Sequence, residues 1–177
     1  MTLRWNHHAL VLAALALLAG PAAAETYGLA NSSVPEEGVL AAGQPTGEQL
    51  QVLAEEGFRT VIDLRPAEEP HGFDEVEAAR ENGLAYVNLP VTLAGLDQAT
   101  LDRFFAAFKQ AERPVLLHCA TSNRVGALYY AWLVLEKGMT EAEALEKARA
   151  AGLKSPELES KVTALVAERR AAASPEP

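Results

Sequence analysis

Apolar and polar residues fall along this chain in short blocks whose period switches between that of a strand and that of a helix. Residues 39–42 are a compact apolar run closed by Gly43, which predicts a short edge strand. Thr46 and Gln49 have capping-box spacing, and Leu50, Leu53 and Ala54 continue a helical face that stops at Gly57. Residues 60–64 predict a buried strand and residues 66–72 a loop. Phe73, Val76 and Ala79 then give the face of a helix ending near Gly83. Residues 85–89 form the next strand, closed by Pro90. Asp97 sits where a helix N-cap belongs, ahead of Leu101, Phe104, Phe105 and Phe108 at i, i+3, i+4 and i+7. Residues 114–118 are a strand running into Cys119. Val125, Leu128, Tyr129, Trp132 and Leu133 form the stripe of the helix behind it. Thr140 and Glu143 cap a further helix, and Ser155 and Pro156 open a last one carrying Leu158, Val162 and Leu165. Residues 25–35 are expected to be an irregular lead-in, and residues 171–177 a frayed tail.

Strands alternate with helices up to Cys119, and only helices follow. That order predicts an α/β fold, a small and mainly parallel sheet of about four to five strands flanked by helices, with a helical C-terminal part. Ligands bind beyond the carboxyl ends of strands in such sheets, which is where Cys119 falls. The aromatic stripes belong to the core.

The first 24 residues change the picture of the compartment. Arg4 precedes an apolar run from Ala9 to Ala19, too short to span a bilayer, and residues 21–24 (Pro-Ala-Ala-Ala) offer a cleavage site before Glu25. This is the pattern of a secretion signal, so the expected location is periplasmic, with no stable membrane insertion after cleavage. Residues 25–170 are then a single domain. Residues 1–24 hold one of the 15 basic residues and none of the 24 acidic ones, so the mature chain carries 14 basic against 24 acidic residues, a net charge of −10. Such an acidic chain argues against nucleic acid as a partner.

Cys119 is the only cysteine, so no intramolecular disulfide exists. In an exported chain a leftover cysteine points to an intermolecular pair or a reactive thiol. Its setting favours the thiol. The strand ends at His118-Cys119, a polar loop of Ala120, Thr121, Ser122 and Asn123 follows, and Arg124 opens a helix whose free N–H groups favour negative charge. No metal site is implied, because His71 stands alone in a loop and His7 and His8 lie in the signal. No Gly-rich nucleotide loop is present, so no cofactor is expected.

Taken in order, Gly43-Gln44-Pro45, the segment from Val61 to Arg65, the segment from Tyr86 to Val91, and His118-Cys119 to Arg124 resemble the dual-specificity branch of the protein tyrosine phosphatases. The closer match is the bacterial group related to the phosphatase-like domain of beta-lactamase hydrolase-like proteins. The resemblance implies a phosphorylated or other anionic substrate, with Cys119 attacking phosphorus to give a thiophosphoryl enzyme. Backbone N–H groups of residues 120–124 would cradle the oxygens, and the Arg124 fork would clamp two of them. His118 would support the loop or the thiolate, or else be a strand-end histidine bonded to backbone. Asp63 is read as structural and Arg65 as a rim contact for an anion.

Four departures keep alternatives open. The resembled phosphatases have five residues between cysteine and arginine, where this chain has four. They carry Ser or Thr after the arginine, where Val125 stands, and often glycine at the position of Ser122. Thr92 and Leu93 occupy the place of the general acid, leaving Asp97 as the nearest carboxylate. Two other functions therefore stand beside the phosphatase: a rhodanese-like sulfurtransferase carrying a persulfide on Cys119, and a catalytically degenerate anion-binding domain.

Overall fold

The computed structural model describes residues 26–173; residues 1–24, read as the signal, and residues 174–177 of the tail lie outside the described part. Five strands, β1 (Ser33–Glu36), β2 (Val39–Ala42), β3 (Thr60–Asp63), β4 (Ala85–Asn88) and β5 (Val115–His118), form one sheet in the order β1-β2-β5-β3-β4. All neighbours are parallel except β1 and β2, which form an antiparallel hairpin. The run at residues 39–42 is therefore not an edge strand. β1, which falls in the expected lead-in, covers it. Ser33-Val-Pro-Glu has no apolar alternation to announce a strand, and it is held by pairing with the apolar β2.

The helices are α1 (Gly47–Glu55), α2 (Glu75–Glu81), α3 (Gln98–Gln110), α4 (Asn123–Leu135), α5 (Glu141–Ala150) and α6 (Pro156–Ala173). α6 is helical three residues into the expected tail. Among the described residues no helix is long and apolar enough to cross a membrane. Strand residues alternate between two cores, as the pleat requires. Ile62, Leu64, Val115, Leu117 and Cys119 face α3 and α4. Leu40, Val61 and Leu116 face α1 and α2.

α4 is apolar all round because it is central. Ten of its residues, Val125 to Val134, are buried, with the sheet below and α5 and α6 packed above. The packing is close enough to dictate residue type. A Cβ on Gly126 would stand 2.4 Å from the backbone N of Leu153 and 2.6 Å from the carbonyl O of Ala148. The corner between α5 and α6 thus rests directly on the first turn of α4, immediately behind the cysteine loop.

Candidate active site

Cys119 continues β5 with its amide bonded to the Ala42 carbonyl (3.3 Å), and its side chain is fully buried at the strand end. The chain then reverses into α4 through Ser122, whose φ of 66° and ψ of 0° are left-handed. A non-glycine residue there costs on the order of 1 kcal/mol, and two contacts hold it. The Ser122 hydroxyl donates to the Ala151 carbonyl at 2.8 Å. Gly152, at φ +115°, lies so near that a Cβ on it would meet the Ser122 Cβ at 2.5 Å. Ser122 is the N-cap of α4 yet makes no capping bond. The first N–H groups of the helix are therefore left without the side-chain acceptor that an N-cap serine supplies elsewhere.

Three other loop residues, Ala120, Asn123 and Thr121, brace the turn. Gln44 N–H donates to the Ala120 carbonyl (3.2 Å), and the Gln44 amide reaches the His71 carbonyl at 2.5 Å. Asn123 accepts from the amides of Lys154 and Ser155 at 2.7 and 2.8 Å, so its side chain fastens the start of α6. Thr121 bridges to Gly43.

Arg124 turns back over the strand ends. Its Nη1 donates to the Val91 carbonyl (3.1 Å), and Nη1 and Nη2 both donate at 2.7 Å to Glu69, a fork-to-carboxylate pair. Burial works against its charge. The hydrogen bonds it donates to Glu69, together with the neighbouring Cys119, outweigh burial and hold its pKa above the usual arginine value. A cavity of about 400 Å³ opens beside it, with Val91, Leu93 and Leu158 as apolar walls and Glu69 and Glu157 as acids.

On the opposite face of the same strand ends lies a buried ionic cluster. Alternation sends His118 away from Cys119, toward α2, together with Asp63 and Arg65. Arg65 is no rim residue: it is fully buried, with Nε and Nη2 on the two Asp63 oxygens at 2.9 and 2.8 Å and Nη2 also on Glu75. Burial alone would raise the Asp63 pKa. The Arg65 hydrogen bonds, with help from His118 and Tyr86, bring it below the usual carboxylate value. His118 Nε2 lies 2.8 Å from Glu75 Oε1 without hydrogen-bond alignment. The histidine thus backs the strand end and does not face the thiol. His71 is not alone either. Its Nδ1 is 3.7 Å from Asp63, and Asp63, His71 and Glu75 bring ligand atoms within 4.8 Å of one another, but Arg65 already occupies both carboxylates as their cation.

Asp97 does not belong to this constellation. It is the exposed N-cap of α3, accepting from the Thr100 amide at 2.8 Å, and that bond lowers its pKa. It is absent from the wall of the Arg124 cavity. A carboxylate committed to an amide and held ionised is poorly suited to donate a proton.

With this geometry in place, the family model of DSP-PTPase phosphatases fused to NAD+ kinase matches residues 23–165. The chain belongs to this DSP-PTPase family. A beta-lactamase hydrolase-like protein from Xylella fastidiosa is 37% identical over 115 residues, 62% of this chain and 27% of that protein. The chain thus spans about a quarter of the length of such relatives. A protein classed as a DUF442 phosphatase from Shewanella putrefaciens has the same fold, with a TM-score of 0.68 at 24% identity over 84% of this chain and 94% of that one. TpbA from P. aeruginosa, solved as a cysteine-to-serine form in complex with pTyr, superposes with a TM-score of 0.54 at 20% identity, covering 72% and 77% of the two chains.

Within the DSP-PTPase frame, Glu69, Glu75 and Gln44 are the site residues that pattern alone did not single out as such. Glu69 is one acid in a Pro- and Glu-bearing loop, with nothing local to mark its partner. Glu75 opens a helix, where an acid is expected for the dipole alone.

Proposed function

We propose that the chain is an exported cysteine-dependent phosphatase that hydrolyses phosphate monoesters through a thiophosphoryl-cysteine intermediate. One observation carries the reading: Cys119 lies at the uncapped N-terminus of α4 with the Arg124 guanidinium beside it. Phosphoryl transfer needs positioning and charge stabilisation above all, and this arrangement offers amide donors and a cation to the equatorial oxygens. Sγ of Cys119 attacks phosphorus as the bond to the leaving oxygen breaks. Water then attacks phosphorus, the S–P bond breaks, and the thiolate and inorganic phosphate are released.

Asp97 is engaged as a cap, so the leaving oxygen departs without a proton from that side chain. Aryl phosphates, whose phenolates leave readily, should therefore turn over faster than alkyl phosphates. TpbA in complex with pTyr is consistent with an aryl ester. The test is turnover of p-nitrophenyl phosphate and, separately, of thiosulfate with cyanide. Aryl phosphate hydrolysis lost in Cys119→Ser supports the proposal. Thiocyanate formation without hydrolysis would establish the sulfurtransferase instead. Export is tested by the mass of the mature protein, expected to begin at Glu25.

A further inference from the structure

We infer that Val125 makes breakdown of the thiophosphoryl-cysteine the slow half of the reaction, so that Cys119 carries the phosphoryl group between turnovers; this rests on the phosphatase reading and adds which step sets the rate. The two halves make different demands. In the first, the Cys119 thiolate attacks phosphorus and the phenolate of an aryl ester leaves with its own charge, so no proton donor is needed. In the second, water gives up a proton as it attacks phosphorus, and the electron pair of the S–P bond returns to Sγ. That half needs a base for the water and a donor for the sulfur.

Neither is well supplied. His118 is turned toward α2 and lies against Glu75. Asp97 is committed as the α3 cap, and both oxygens of Glu69 accept from Arg124. Glu157 accepts from the Ser155 hydroxyl at 2.8 Å, which lowers its pKa, and base strength falls with it. The sulfur fares no better. Cys119 belongs to the same buried apolar cluster as Ile62, Leu64, Val91 and Val125, and Val125 is itself fully buried. The donors nearby are Arg124 and the first amides of α4, and in the phosphorylated enzyme the phosphoryl oxygens hold them. Charge arriving on Sγ therefore meets apolar neighbours. Residue 125, a serine or threonine in the resembled phosphatases, brings no hydroxyl to it.

Mixing the full chain with excess p-nitrophenyl phosphate should release one phenolate per Cys119 in a burst, followed by steady turnover about tenfold slower or more. Acid quenching during steady turnover should find most of the chain heavier by one HPO3, with Cys119→Ser unmodified. Across aryl phosphates of rising phenol basicity, kcat should stay within about twofold while kcat/KM falls. Val125→Thr exchanges one methyl for a hydroxyl; a hydrogen bond to the departing charge should raise kcat about tenfold and shrink the burst. Val125→Ser, the second variant, should act in the same direction. Steady turnover from the first cycle with kcat tracking phenol acidity, or a burst unchanged in both variants, overturns the inference and leaves the phosphatase reading standing. Phenolate release that survives in Cys119→Ser, or neither release nor adduct in the wild type, removes the phosphatase reading and this inference with it.

Discussion

Arg65→Met isolates what the buried cluster contributes. Methionine keeps much of the stem but removes the guanidinium that bonds Asp63 twice and Glu75 once. Asp63 would retain the Arg65 backbone amide (2.9 Å) and the Tyr86 hydroxyl (2.8 Å), and Glu75 would keep only its contact with His118. Breaking a buried pair by deleting one partner costs about 3–5 kcal/mol. Two carboxylates share this cation, so the upper end, about 5 kcal/mol, is expected at pH 7.5. Urea unfolding followed by circular dichroism measures it, and pH gives the sign. In the wild type the Asp63 pKa is lowered, so its stabilisation is complete above the unfolded carboxylate value and lost as pH falls through the folded one. Between pH 7.5 and 5 that contribution is constant. Without Arg65, the burial that works against the Asp63 charge loses its main counterweight. The penalty of holding Asp63 ionised is then largest at high pH and fades as pH falls. The difference between wild type and variant should shrink by about 1 kcal/mol or more from pH 7.5 to 5. A loss below about 1 kcal/mol at pH 7.5, or a gap that widens at pH 5, would refute the reasoning.

Gly152→Ala should cost about 3 kcal/mol and depress aryl phosphate turnover, since its Cβ meets Ser122 Cβ at 2.5 Å and the Ser122 carbonyl at 2.8 Å. Adding Ser122→Gly should recover part of both losses in a double-mutant cycle, and strict additivity would count against the contact. Asp97→Ala should lower Tm by about 3 °C through loss of the α3 cap while leaving kcat within twofold. A hundredfold loss of kcat would restore Asp97 as the acid.

Much of the fold was legible because local chemistry and tertiary structure agree. Thr46, Asp97 and Thr140 cap the helices their spacing announces, and the Phe stripe of α3 is buried as its period requires. Disagreement came where a long-range partner overrode the local signal. Val76, taken for the buried face of α2, is 58% exposed, and its neighbour Glu75 is 2% exposed. No periodicity rule buries a glutamate. Arg65 and His118, brought alongside by β3 and β5, do so. The order of Cys119 and Arg124 was visible in the loop itself, but Glu69, 55 residues before Arg124, carries no mark of its pairing with it. Ser122 was conspicuous only as a residue where relatives often have glycine. What holds it lies at residues 151–152.

That last contact has a consequence for when the molecule becomes competent. The loop takes its left-handed turn against Ala151 and Gly152, and Asn123 is fastened by Lys154 and Ser155. A ribosome that has delivered the whole sheet, the cysteine and the arginine has still not delivered the surface against which the loop sets. The cysteine loop of the nascent chain therefore sets only once the corner between α5 and α6 has emerged and docked.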